Sequence, residues 1–110
     1  MEIAFKNNKL EQKLNTDKGL AKSYGTLAKK AKQRMTELKS AINLKVIADN
    51  KVLRLHPYKG DRKGEWSIDI QENWRICFEI NQDPIPVLED GGVCLIEVSK
   101  IKIVSVEDPH

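Results

Sequence analysis

Near Asn50 the apolar residues of this 110-residue chain change their period. Before that point Leu20, Tyr24, Leu27, Ala28, Ala31, Met35, Leu38 and Ile42 recur at spacings of three and four, which makes one stripe along a helix. After it Trp66, Ile68 and Ile70 alternate with polar residues, as do Trp74, Ile76, Phe78 and Ile80. Alternation of that kind belongs to strands with one buried face. A helical stripe laid out as a strand would turn part of its apolar set into water. The two halves must therefore form different elements that bury their apolar faces against each other.

The remaining elements follow from local signals. Residues 2–5, EIAF, read as a short strand. Asn7 or Asn8 caps a helix to about Leu14, ended by the Asn15-Thr16-Asp17 cluster. Asp17 is the expected cap of the long helix, Gly25 is a weak point inside it, and Asn43 caps a short helical turn from Leu44 to Ala48. Leu53 to Tyr58 is expected to be extended, because Pro57 disfavours helix at His56. Lys59 to Gly64 forms a loop, Gln71-Glu72-Asn73 turns the hairpin, and residues 81–92 form a loop containing Pro and Gly. A last strand lies within 94–106, where the mixed pattern CLIEV then IKIVSV suggests burial on both faces at its end. This order predicts one α+β domain over 1–110. A short N-terminal strand and helices should pack on one face of a mostly antiparallel sheet of about four to five strands.

Such a chain is long enough for one packed core without staples. No apolar run approaches the length of a membrane span, and MEIAF lacks the basic and apolar regions of a signal peptide. A cytoplasmic protein is expected, with no membrane association, and with Cys77 and Cys94 as buried free thiols rather than a disulfide. Net charge is only +3, yet residues 1–55 carry 13 Lys or Arg against 5 Asp or Glu, and residues 56–110 carry 6 against 11. A basic half suits a polyanionic partner, either nucleic acid or an acidic protein segment, unless its lysines only solvate helix faces.

Residues 54–79, RLHPYKGDRKGEWSIDIQENWRICFE, concentrate the reactive side chains. His56 stands beside a Gly-bracketed loop carrying Lys59, Arg62 and Lys63, with Arg75 on the hairpin. His110 and Asp108 close the chain. Cleaving RNA by attack of its own 2′-hydroxyl needs a base, an acid and cations for the phosphorane, with no metal or cofactor. Histidine suits the proton roles because its ordinary pKa lies near 6.5, and Arg and Lys suit the phosphate. Each residue also has a plainer role: a strand-end histidine, a solvated turn, an Arg75 paired with Asp69 or Glu79, a frayed tail. A metal site at the two histidines and Asp108 lacks helical His spacing or a Cys ligand set.

LHPYKGDRKGEWSI, then NWRICFEI, then VEDPH at the close, resemble the HigB toxins of the RelE/ParE superfamily. The motif likeness covers about 55–80 and the last five residues, and the order of elements agrees throughout. The resemblance implies a RelE-like fold and the toxin half of a bacterial toxin–antitoxin pair. It also implies an endoribonuclease that cuts messenger RNA on the ribosome. On the matching positions it implies a catalytic group of His56, Asp108 and His110, with Arg75 as the phosphate-stabilising cation. Lys59, Arg62 and Lys63 would assist in binding substrate. Family members often have Tyr between the closing Asp and His, where this chain has Pro109. The implied partner is a small HigA-like antitoxin with a helix-turn-helix domain, and the basic helical half would face either that antitoxin or ribosomal RNA. Two rival readings share the scaffold: a ParE-like inhibitor of DNA gyrase, and an inactive module that only binds its antitoxin.

Overall fold

The computed structural model describes residues 1–108, so two positions of the expected closing motif, Pro109 and His110, lie outside the described residues. The chain runs β1 (Glu2–Phe5), α1 (Asn8–Asn15), α2 (Asp17–Tyr24), α3 (Ala28–Ser40), α4 (Leu44–Asp49), β2 (His56–Pro57), β3 (Glu65–Gln71), β4 (Trp74–Ile80) and β5 (Lys100–Glu107). The strands form one sheet in the order β1-β5-β4-β3-β2, antiparallel except for the parallel β1–β5 pair. The α+β architecture predicted from the change of period is the one observed.

Caps set the helix boundaries. The Asn7 side chain accepts the Leu10 N–H at 2.8 Å, and Asn43 accepts the Val46 N–H at 3.2 Å. The expected cap at Asp17 is instead Thr16. Its hydroxyl donates to the Gln12 carbonyl and accepts from the Gly19 N–H, both at 2.9 Å, closing α1 and opening α2 with one side chain. The corner is so tight that a Cβ at Gly19 would lie 1.8 Å from the Gln12 carbonyl oxygen. The single long helix also divides. Gly25 takes φ +53°, a 3-10 turn covers Gly25–Leu27, and α3 starts afresh at Ala28. Ile42, placed on the buried stripe by spacing, lies past the end of α3 and is 77% exposed; Ala41 is buried instead.

Two other expectations change. In place of an extended Leu53 to Tyr58, a 3-10 turn at Lys51–Leu53 and a left-handed Arg54 (φ 49°) leave only His56–Pro57 as strand. The mixed pattern of the last strand reflects a register shift rather than burial on both faces. β5 pairs Ser105 with Cys77 but Ile103 with Phe78. The extra residue lets Ile101, Ile103 and Val106 share the core side while Ser105 and Glu107 point away.

The helices and the inner sheet face enclose Leu38, Leu44, Leu53, Ile68, Ile70, Ile76, Phe78, Ile101 and Ile103, all without solvent exposure. Each such side chain contributes about 1.5–3 kcal/mol relative to exposure. Arg34 is buried beside them. Its Nε donates to the Asp69 carbonyl and a terminal nitrogen to Glu37, both at 2.8 Å, so its charge is satisfied while it ties α3 to β3. Cys77 is buried as expected, Cys94 only partly, and both thiols are free.

Candidate functional site

Alternation along β3, β4 and β5 gives the sheet a second face, turned away from the helices and lined by polar side chains. Strand register arranges them in rows: His56, Ser67, Cys77 and Ser105 in one, then Asp69, Arg75 and Glu107 in the next. Strands lie about 4.8 Å apart, so His56 and Arg75 sit at opposite corners of a patch that long side chains can span. His56, one of the two histidines predicted for proton transfer, and the predicted phosphate cation Arg75 are thus brought to one face.

Tyr58 fills the space between them, and no motif had singled it out. Its ring meets the His56 ring edge-on, with centroids 5.3 Å apart. Its hydroxyl lies 3.7 Å from the Cys77 sulfur. The neighbouring Tyr58, with Asp69 and Cys77 adding to its effect, holds the Arg75 pKa above its ordinary value, so Arg75 is a fixed cation. The Asp69 carboxylate stands 3.8 Å from the Arg75 Nε and 3.7 Å from Arg54. His56 is half-buried, with Nδ1 3.3 Å from the Arg54 carbonyl. The Ser67 hydroxyl is 3.4 Å from both ring nitrogens, too long and too symmetric to hold either one firmly.

The three loop cations do not act alike. Arg62 stacks on the Tyr58 ring at 4.2 Å, grips both oxygens of Glu107 at 2.7 and 2.9 Å, and reaches Glu65 at 2.8 Å. A guanidinium so surrounded has its pKa raised by those carboxylates and little donor capacity left for a phosphate. Lys59 and Lys63 are exposed. Lys63 borders a separate apolar groove of about 570 Å³ between Pro57, Trp66, Ile85 and Val87. Asp108 follows β5 directly and is exposed; His110 lies outside the described residues. Among the described residues, no three His, Cys, Asp or Glu side chains converge as metal ligands.

Glu107 is therefore the residue that ties the end of β5 to the loop, and the sequence offered no sign of it beyond its place before Asp108. The Arg62 hydrogen bonds, reinforced by the Ser105 hydroxyl at 2.6 Å, hold its pKa below the ordinary 4.5. A carboxylate whose pKa is lowered in the folded state contributes stability that is fully present above the unfolded value. That contribution disappears as pH falls through the folded value. Glu107→Gln should accordingly melt with a flatter pH dependence than the parent below about pH 4.5. Superimposable acid limbs in the two melting profiles would show that the pair does not tether β5.

Known proteins share parts of this sequence and the whole of this fold. No family model matches the chain. A segment of 36 residues, 32% of the chain, is 53% identical to the endoribonuclease HigB of Proteus vulgaris and covers 39% of that protein. The match thus spans about two fifths of the curated relative. Among solved structures, a YoeB/ParE toxin from Agrobacterium tumefaciens superimposes with a TM-score of 0.55 at 11% identity, covering 100% of both chains. A single-residue mutant of YafQ from E. coli gives 0.53 at 17% identity, and YafQ from E. coli strain BL21(DE3) gives 0.51 at 15%; each covers 98% of this chain and 92% of its own. At those identities the likeness is one of fold, and it extends over the whole α+β domain.

Proposed function

We propose that this chain, whose sequence matches the endoribonuclease HigB over 36 residues and whose fold is similar to that of the YoeB/ParE and YafQ structures, is a toxin of the RelE/ParE superfamily: a ribosome-dependent endoribonuclease that cleaves messenger RNA without a metal, neutralised by a HigA-like antitoxin. The observation that carries the reading is the polar sheet face on which His56, Tyr58 and the fixed cation Arg75 converge beside the end of β5.

In this mechanism one of His56 and His110 takes the proton from the 2′-hydroxyl, whose oxygen attacks the adjacent phosphorus. The other protonates the departing 5′-oxygen. Products are a 2′,3′-cyclic phosphate and a 5′-hydroxyl. Arg75, steered by Tyr58, faces the non-bridging oxygens, where charge accumulates in the transition state. Lys59 and Lys63 add mobile positive charge. Arg62 acts through Glu107, holding the strand from which Asp108 and His110 continue. Asp108 orients an imidazole. In this assignment Arg62, first expected on the substrate, becomes a positioning residue.

Primer extension on messenger RNA after brief induction in cells tests the reading. It should give discrete cuts inside coding regions, and purified protein should cut translated RNA far faster than the same RNA free in solution. Among the described residues beside His56 and Arg75, Tyr58 is the ring at hand and Arg62 already covers it, so free bases have little to stack on at the reacting site, which is the reason to expect dependence on the ribosome. Intact messages with damaged chromosomes would favour gyrase inhibition. Rapid, codon-independent cutting of free RNA would remove the ribosome from the proposal.

A further inference from the structure

Beyond Ile103 the outer edge of β5 has no strand beside it among the described residues, because β1 ends at Phe5. A groove of about 430 Å³ lies along that bare edge, with Val104 and Val106 in its lining. Lys6, Lys9 and Lys13 line it, together with the half-buried rings of Tyr24 and Trp74. Lys9 and Lys13 are one turn apart on α1, about 5–6 Å between Cβ atoms, and Lys6 continues toward the sheet. Among the described residues none of the three lysines forms an ion pair. The groove also leads somewhere. Lys6, Val104 and Ser105 border the neighbouring hollow that holds Arg62 and Glu107, and Trp74 immediately precedes Arg75.

Unpaired lysines beside two half-buried aromatic rings that line the groove supply the two elements of a single-stranded nucleic-acid site: cations for the backbone and ring surface for bases. An acidic peptide would satisfy the lysines but has no need of the rings. We propose that this groove is a track for single-stranded RNA, in which Lys6, Lys9 and Lys13 neutralise successive phosphates and bases stack on Tyr24 and Trp74, guiding the strand toward His56 and Arg75. The proposal rests on the ribonuclease reading for the identity of its ligand, and it adds a binding site to that reading.

The probe is a fluorescein-labelled single-stranded oligoribonucleotide of about 12 residues, 2′-O-methylated throughout so that it cannot be cut, titrated by anisotropy between about 50 and 200 mM salt. The combined Lys6→Gln, Lys9→Gln, Lys13→Gln protein should bind at least about tenfold more weakly. Its plot of log affinity against log salt should be shallower by about 2, at roughly 0.7 for each phosphate no longer neutralised. In a Trp66→Phe background Trp74 is the remaining one of the 2 tryptophans, and RNA should quench its fluorescence, which a merely structural tryptophan would not show. Equal affinity and slope in the lysine variant, no binding by the parent protein, or an unquenched Trp74 would each overturn the track. So would a lysine variant that keeps RNA affinity but loses its antitoxin, since the groove would then serve a protein partner. Because the probe is not cleaved, the two proposals separate. A protein that loses RNA affinity with its lysines yet cuts no message leaves the track standing without the nuclease. An active nuclease whose lysine variant binds normally rejects the track alone.

Discussion

Replacing His56 with Gln should lower messenger RNA cleavage by about 10²- to 10⁴-fold, the contribution of a positioned proton-transfer group. The fold should survive. His56 is half-buried on the two-residue strand β2, its polar contacts are 3.3 Å or longer, and the core packs on the opposite face of the sheet. Glutamine retains a similar size and hydrogen-bonding capacity but cannot accept and release a proton near neutrality. Deleting His110 in the same assay should have an effect of the same order, with melting changed by no more than about 0.5 kcal/mol. If the two histidines act as base and acid in one step, the double variant should be little worse than either single one. Effects that multiply instead would mean that the residues serve separate steps. A His56→Gln protein of full activity would remove the histidine from the chemistry.

The second large effect belongs to Arg75. Arg75→Ala should cost about 10²- to 10³-fold in cleavage, as loss of a donor aimed at transition-state charge does, while the substrate concentration for half-maximal rate changes little. Tyr58→Phe offers a finer probe. Phenylalanine keeps the ring under the Arg62 guanidinium and beside His56 but removes the hydroxyl that helps raise the Arg75 pKa. A smaller loss confined to the maximal rate, with melting nearly unchanged, is the result expected of a positioning residue. If Tyr58→Phe unfolds the protein or leaves cleavage untouched, Tyr58 serves the scaffold and not the phosphate. Arg75→Lys should recover only part of the activity, because an ammonium restores the charge without the planar fork.

What could be read from the residues was whatever depends on near neighbours. The switch from a period of three and four to a period of two separates helices from sheet, since side-chain direction repeats every 3.6 residues in one and every two in the other. Asn7 and Asn43 identify their helix starts because a cap is a contact across three residues. The LHPYKGDRKG and WRI strings likewise carried His56 and Arg75 as candidates, and strand pairing puts both on one sheet face. Tertiary structure decided the rest. Gly19 is required by a carbonyl seven positions away, and Gly25 breaks a helix that spacing alone would continue. Ile42 falls outside the core because α3 stops at Ser40. A one-residue register shift in β5 aims Glu107 at a loop 45 positions earlier, turning Arg62 from a free cation into a clamp. Tyr58 becomes central because β2, β4 and the loop meet around it. Such pairings join positions far apart in sequence, and no local pattern encodes the distance between two side chains until the sheet has set its register.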